Sequence, residues 1–123
     1  MRKVLLVEDN ATNRKLLGDI LRSVGHEVRE VETADEGIAL ALAEKFDLVI
    51  MDIQLPGTDG LTATRFLRAN KSTQSLPVLA VTAYAMQGDE QRILAAGCND
   101  YLPKPIAYKD FLMRVARLLG TEK

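Results

Sequence analysis

Asp52 closes the apolar run Leu48-Val49-Ile50-Met51 and leads into Ile53-Gln54-Leu55-Pro56-Gly57. Val4-Leu5-Leu6-Val7 likewise runs into Glu8-Asp9, Val78-Leu79-Ala80-Val81 into Thr82, and Tyr101-Leu102 into Pro103-Lys104-Pro105. Each short strand-like segment delivers a polar group at its C-terminal end. In an open parallel α/β sheet those ends converge on one crevice, where ligands bind. A lone acid, an acid pair, a hydroxyl and an ammonium gathered there suit phosphoryl transfer. The Asp52 carboxylate can accept a phosphoryl group as an acyl phosphate. Lys104 can hold a phosphoryl oxygen as a point charge, and Thr82 can donate one hydroxyl hydrogen bond to it. Ala83 leaves room for the phosphate and for Thr82 to swing, and a cis bond before Pro105 would turn the lysine inward.

Three carboxylates cannot share a small cleft uncompensated. Two unit charges about 4 Å apart repel by about 4 kcal/mol at an effective dielectric near 20. Either one proton is retained at a raised pKa, or a hard divalent cation neutralises the group. Magnesium suits carboxylates, a backbone carbonyl and phosphate oxygens, and it is favoured because phosphoryl transfer needs the same charge. Taken singly, each residue has a plainer reading. Asp52 could be a cap or turn residue, Thr82 a hydroxyl bonded to backbone, Lys104 a solvated lysine, and Glu8-Asp9-Asn10 the cap of a first helix, to which Asn10 contributes in any case. Their joint placement at successive strand ends favours the site.

The elements that must position them alternate strand and helix throughout, which implies a parallel sheet with helices on both faces. Strand-like runs fall near residues 3–7, 27–31, 47–51, 78–82 and 100–102. The second alternates polar and apolar, as an edge strand should. In the first helix Leu16, Leu17, Ile20, Leu21 and Val24 share a stripe, with Gly25 as its stop. Thr33 and Glu36 stand at capping-box spacing ahead of a second helix whose Ile38, Ala41 and Leu42 should face inward. A third helix is expected from Leu61 to Ala69, followed by a polar loop from Asn70 to Ser75. A fourth, from about Ala85 to Ala96, has only Met86, Ile93 and Leu94 to anchor it and would shift easily. The fifth carries Phe111, Leu112, Val115, Leu118 and Leu119 before Gly120, but Ala107 leaves its start uncapped.

The 123 residues suit one domain spanning 1–123. With 47% hydrophobic and 27% charged residues the chain is globular rather than disordered. Sixteen basic against 17 acidic residues argue against a broad nucleic-acid footprint. Cys98 stands alone, so no internal disulfide forms, and no metal-type Cys/His spacing exists. The apolar start is too short for a signal peptide or a membrane span. A cytoplasmic protein without membrane attachment is the simplest reading.

Through VEDN at 7–10, MDIQLPGTDG at 51–60, VTAYAM at 81–86 and YLPKP at 101–105, essentially the whole chain resembles the receiver domain of two-component response regulators. The wording is nearest to single-domain cell-division regulators of the DivK type and to receivers of hybrid histidine kinases. The resemblance implies a flavodoxin-like doubly wound five-stranded parallel sheet, order 2-1-3-4-5, with five helices on both faces. It implies Asp52 as phosphoacceptor, Asp9 as direct magnesium ligand, Glu8 as an outer acid acting partly through water, and the Gln54 backbone carbonyl as a further ligand. Thr82 matches the switch hydroxyl and Lys104 the family's lysine. Tyr101 matches the aromatic that moves inward with the hydroxyl, or else merely packs. Gln54 and Tyr84 would flank the path of hydrolytic water, Tyr84 shielding the acyl phosphate. Glu8 replaces the more frequent aspartate.

The implied function is a phosphoryl-accepting switch, not an enzyme beyond its own phosphorylation and dephosphorylation. A histidine kinase or histidine phosphotransfer protein would supply the phosphoryl group. A downstream protein would read it on the face of the fourth helix, fifth strand and fifth helix, for which Tyr84, Met86, Gln87, Tyr101 and Tyr108 are candidates beside a reading as ordinary surface. A dimer formed on phosphorylation is left open. No DNA-binding output domain fits the length, and Met1 and the ending past Gly120 suit a free-standing protein, with a receiver cut from a hybrid kinase as the alternative. A phosphatase of the haloacid-dehalogenase type would carry a second Asp where Gln54 stands, and would need room for a cap domain. A flavodoxin-like electron carrier would need a Ser/Thr/Gly-rich loop where Glu8-Asp9 stands.

Overall fold

The computed structural model describes residues 2–83 and 89–120. Among the described residues ten elements alternate: β1 Lys3–Val7, α1 Ala11–Ser23, β2 Glu27–Val31, α2 Ala34–Ala43, β3 Leu48–Asp52, α3 Gly60–Ala69, β4 Val78–Thr82, α4 Asp89–Ala95, β5 Asp100–Pro103 and α5 Tyr108–Leu119. The strands form one parallel sheet in the order β2-β1-β3-β4-β5. This is the expected doubly wound topology.

The apolar runs of β1, β3 and β4 are continuous because helices cover both faces of these central strands. Their period-two alternation divides the core. Leu5, Val7, Val49, Met51, Val78 and Ala80 pack with Ala34, Ala41, Leu61, Ala63, Leu67 and Ile93 from α2, α3 and α4. Val4, Leu6, Leu48, Ile50, Leu79, Val81 and Leu102 pack with Leu17 and Leu21 of α1 and Phe111, Val115 and Leu119 of α5. Extended past the strand ends, the alternation gives Glu8 and Asp52 the parity of the α1–α5 side. β2 lies at one edge, as expected, but does not alternate strictly: Val28 packs into the α1–α5 side and Val31 into the α2–α4 side, while Glu27 and Arg29 are exposed.

Several boundaries follow from local chemistry. Asn10 caps α1 through Oδ1, which accepts from Asn13 N–H at 2.9 Å. Thr33 caps α2, its Oγ1 accepting from Glu36 N–H at 3.1 Å. The capping box is only half formed, because the Glu36 carboxylate accepts from the Thr33 hydroxyl instead of its amide. α5 has no side-chain cap at Ala107, as expected, and ends at Gly120 with φ 71°.

The helical stripes are narrower than the sequence suggests. Leu16 and Val24 of the first stripe, Leu42 of the second and Leu94 of the fourth are all exposed. Of the first stripe α1 buries Leu17 and Leu21, as expected, with Gly18 beside them. The described part of α4 begins at Asp89, so Met86 and the expected first turn lie outside the described residues. Among the described residues no helix is long and apolar enough to cross a membrane.

At the end of the sheet away from Asp52, Arg68 of α3 joins three segments. It donates to the carbonyls of Gly97 (2.9 Å) and Leu76 (2.7 Å) and to Asn99 Oδ1 (2.7 Å). Asn99 Oδ1 in turn accepts from Val78 N–H, which fixes the start of β4. His26 lies at the same end, before β2. Its Nδ1 is buried and has no hydrogen-bond partner among the described residues. Burial, with Arg2 nearby, holds the imidazole below its ordinary 6.5, against the opposing pull of Asp47. The folded state therefore favours neutral histidine. That contribution is complete above pH 6.5 and is lost as pH falls through the depressed folded value. In paired urea titrations, wild type should lose stability relative to His26→Leu as pH is lowered from 7. A difference independent of pH would remove the histidine from the acid limb.

Candidate functional site

β1, β3 and β4 end side by side, and their registers bring the chemistry together. Val7 pairs with Met51, so Glu8 follows at the level of Asp52, which itself pairs with Val81 just before Thr82. Glu8 and Asp52 are each 2% exposed and Thr82 1%, while Asp9 is exposed. Lys104 enters from the loop after β5, where the Lys104–Pro105 bond is cis and Lys104 N–H donates to Thr82 O at 2.7 Å.

The ammonium of Lys104 lies between two acids. Its Nζ is 3.0 Å from Asp52 Oδ2 and 3.2 Å from Glu8 Oε1. The other Asp52 oxygen, Oδ1, accepts from Gln54 N–H at 3.0 Å, and Glu8 Oε2 accepts from Asn10 N–H at 3.3 Å. Arg14 braces the turn from behind by donating to the Glu8 carbonyl at 2.9 Å.

Burial pushes the Glu8 carboxyl above its usual range, and the hydrogen bond and charge of Asp52 push the same way, against Asn10 N–H and Lys104. Burial alone would lower Lys104, but the adjacent Asp52 and Glu8 outweigh it and hold the ammonium above its ordinary value. The Lys104 ammonium thus offsets the paired acids from within, and burial beside Asp52 favours the protonated form of Glu8 more than in a free glutamate. Oxygens of Glu8, Asp9 and Asp52 nevertheless lie within 4.8 Å of one another. An all-oxygen, carboxylate-rich set of this kind fits a hard cation such as magnesium.

The structure therefore gathers Glu8, Asp9, Asp52 and Lys104 at one point, with Thr82 beside them. One arrangement had no signal in the sequence. The Gln54 side chain reaches the end of β4, its Nε2 donating to Thr82 Oγ1 at 3.0 Å and its Oε1 accepting from Ala83 N–H at 2.9 Å. No periodicity or motif says where such a side chain points.

Of the candidates for the partner surface, Tyr101 and Tyr108 fall among the described residues. Tyr101 is half-buried on β5 and is held from two sides. Arg114 donates to its carbonyl at 2.8 Å while also pairing with Asp100 at 2.7 Å. Burial, followed by the charge of the Glu90 carboxylate of α4, raises its pKa against the pull of Arg114. Tyr108 is 48% exposed and lines a cavity of about 420 Å³ between α1 and α5, together with Asn13, Leu16, Lys104 and Ile106. Tyr84, Met86 and Gln87 lie outside the described residues.

Comparison with known proteins gives a consistent result. The sequence profile of the response regulator receiver domain matches residues 4–116. The polar-differentiation response regulator DivK of Brucella ovis is 40% identical over 119 residues, covering 97% of each chain. Among solved structures, the receiver domain of sensor histidine kinase PA1611 from Pseudomonas aeruginosa superposes with a TM-score of 0.90 at 38% identity, over 97% of this chain and 98% of that one. That structure has a magnesium ion coordinated in its active-site cleft. The chemotaxis protein CheY4 of Vibrio cholerae gives a TM-score of 0.90 at 27% identity, over 96% of this chain and 98% of that one.

Proposed function

This chain belongs to the response regulator receiver domain family, and from that premise we propose that it is a phosphoryl-accepting switch with Asp52 as the acceptor. The observation that carries the reading is the position of Lys104 Nζ, within 3.2 Å of both buried acids, with Asp9 completing an oxygen cluster at the strand ends. Magnesium held by Glu8, Asp9, Asp52 and the Gln54 carbonyl would supply positive charge that offsets the approaching phosphate.

The chain's own residues do the rest. An Asp52 carboxylate oxygen attacks the phosphorus of a phosphohistidine on a histidine kinase or phosphotransfer protein. The P–N bond breaks, and the imidazole leaves with its electron pair and takes a proton from solvent. Lys104, already beside Asp52 Oδ2, holds a phosphoryl oxygen. Catalysis is then mainly positioning and charge stabilisation. Afterwards Thr82 turns toward the phosphoryl group, and the contact between Tyr101 and α4 readjusts. A charge-assisted hydrogen bond contributes about 1.5–3 kcal/mol, whereas reversing a 1:99 population requires roughly 5.5 kcal/mol. Thr82 alone cannot complete the switch, so Lys104 or a downstream protein on the α4–β5–α5 face adds bias.

In this reading the chain acts in the cytoplasm by changing partners and turns over no other substrate. The same chemistry would serve a receiver within a longer hybrid kinase. Incubation with acetyl phosphate and magnesium should add one phosphoryl group, located on Asp52 by mass spectrometry after borohydride trapping, and Asp52→Asn should abolish it. Labelling that persists in Asp52→Asn would sink the proposal.

A further inference from the structure

Gln54 links Asp52 at the end of β3 to Thr82 and Ala83 at the end of β4. Its N–H donates to Asp52 Oδ1 at 3.0 Å, its Nε2 to Thr82 Oγ1 at 3.0 Å, and its Oε1 accepts from Ala83 N–H at 2.9 Å. The backbone N–H of Ala83 can only donate, so the amide oxygen must face Ala83 and the NH2 must face Thr82.

A phosphoryl group on Asp52 needs donors from this strand end, because Asp52 pairs in register with Val81 and the next two residues are Thr82 and Ala83. An amide N–H carries one hydrogen. While it points at Gln54 Oε1, it cannot serve a phosphoryl oxygen. Thr82 can rotate its own hydrogen, but moving Oγ1 toward Asp52 breaks the bond that it accepts from Nε2.

We infer that the Gln54 carboxamide is a latch, holding Thr82 and Ala83 in the resting arrangement and competing with the phosphoryl group for them. The inference rests on the phosphoacceptor reading of Asp52 and adds a positioning role for the Gln54 side chain, distinct from that of its backbone carbonyl. The contest is graded correctly for a switch. Hydrogen bonds between neutral groups are roughly half as strong as those to an ionised acceptor, so the latch holds without phosphate and yields to it.

Two measurements on the full chain test this, with Gln54→Met retaining length and Gln54→Ala removing it. Without metal or phosphoryl donor, the Ala83 amide should exchange hydrogen about tenfold faster in both variants than in wild type, the equivalent of about 1.4 kcal/mol. With magnesium present, both variants should bind beryllofluoride about tenfold more tightly, read from the Thr82 and Ala83 amide shifts. A variant that merely loosened the loop would bind less tightly. Unchanged exchange at Ala83, or equal or weaker binding of beryllofluoride by both variants, overturns the latch while leaving Asp52 as acceptor. Failure of wild type and both variants alike to bind beryllofluoride or to be labelled removes the acceptor reading, and the competition with it.

Discussion

Lys104→Met should unfold at lower urea concentration than wild type when magnesium is absent, with a loss of about 2–3 kcal/mol near neutral pH. Lys104 is the cation between Asp52 Oδ2 and Glu8 Oε1, and both acids are 2% exposed. Removing one partner of a buried ion pair typically costs about 3–5 kcal/mol. The smaller figure allows for the lysine side chain itself, which is 21% exposed and partly screened. Methionine keeps most of the stem's packing, so the loss is chiefly electrostatic. The pH dependence distinguishes charge from packing. Glu8 is raised by burial and by Asp52, so its protonated form is favoured in the folded state. That contribution is complete below the unfolded value of 4.5 and is lost as pH rises through the folded value. Without the opposing ammonium the folded value rises further. The deficit of Lys104→Met should therefore shrink as pH is lowered toward 5, and should also shrink when magnesium is added. A deficit unchanged by both would mean that Lys104 contributes packing and little else.

The sequence revealed the site more completely than the helix faces around it. Four apolar runs ending in polar groups are enough to place Glu8, Asp52, Thr82 and Lys104, because parallel strands with two-sided burial end together by geometry. Helix burial depends on neighbours that a stripe cannot see. α1 packs beside α5 and buries Leu17, Gly18 and Leu21, a strip narrow enough to leave Leu16 and Val24 in solvent. Leu42 and Leu94 are apolar residues of the same kind. The contacts furthest from sequence reasoning are made by long polar side chains. Gln54 meets Thr82 across 28 positions, and Arg68 meets Gly97 across 29. Each depends on a rotamer chosen by tertiary placement, for which the chain carries no periodic signal.

Gly60→Ala should be the most damaging single-methyl change near the site, costing about 3 kcal/mol of stability and slowing acetyl phosphate labelling by at least about tenfold. Gly60 opens α3 just after Asp59, whose Oδ1 accepts from Thr62 N–H at 2.8 Å. A Cβ at Gly60 would collide with the carbonyl oxygen of Asp52 and lie 3.0 Å from both the Asp52 carbonyl carbon and Ile53 Cα. These are backbone atoms of the acceptor and its neighbour, so no side-chain rotation relieves the clash. Either α3 moves outward or the end of β3 shifts, and the second displaces Asp52 from Lys104. The backbone of Gly60 has no left-handed φ, so lack of space is the whole difficulty. Gly57 provides the contrast. It has φ +76° with nothing within 4 Å of an added Cβ, so Gly57→Ala meets only the conformational penalty, about 1–2 kcal/mol, and should retain its labelling rate. Equal labelling by the two variants would show that the α3 start does not set the position of Asp52.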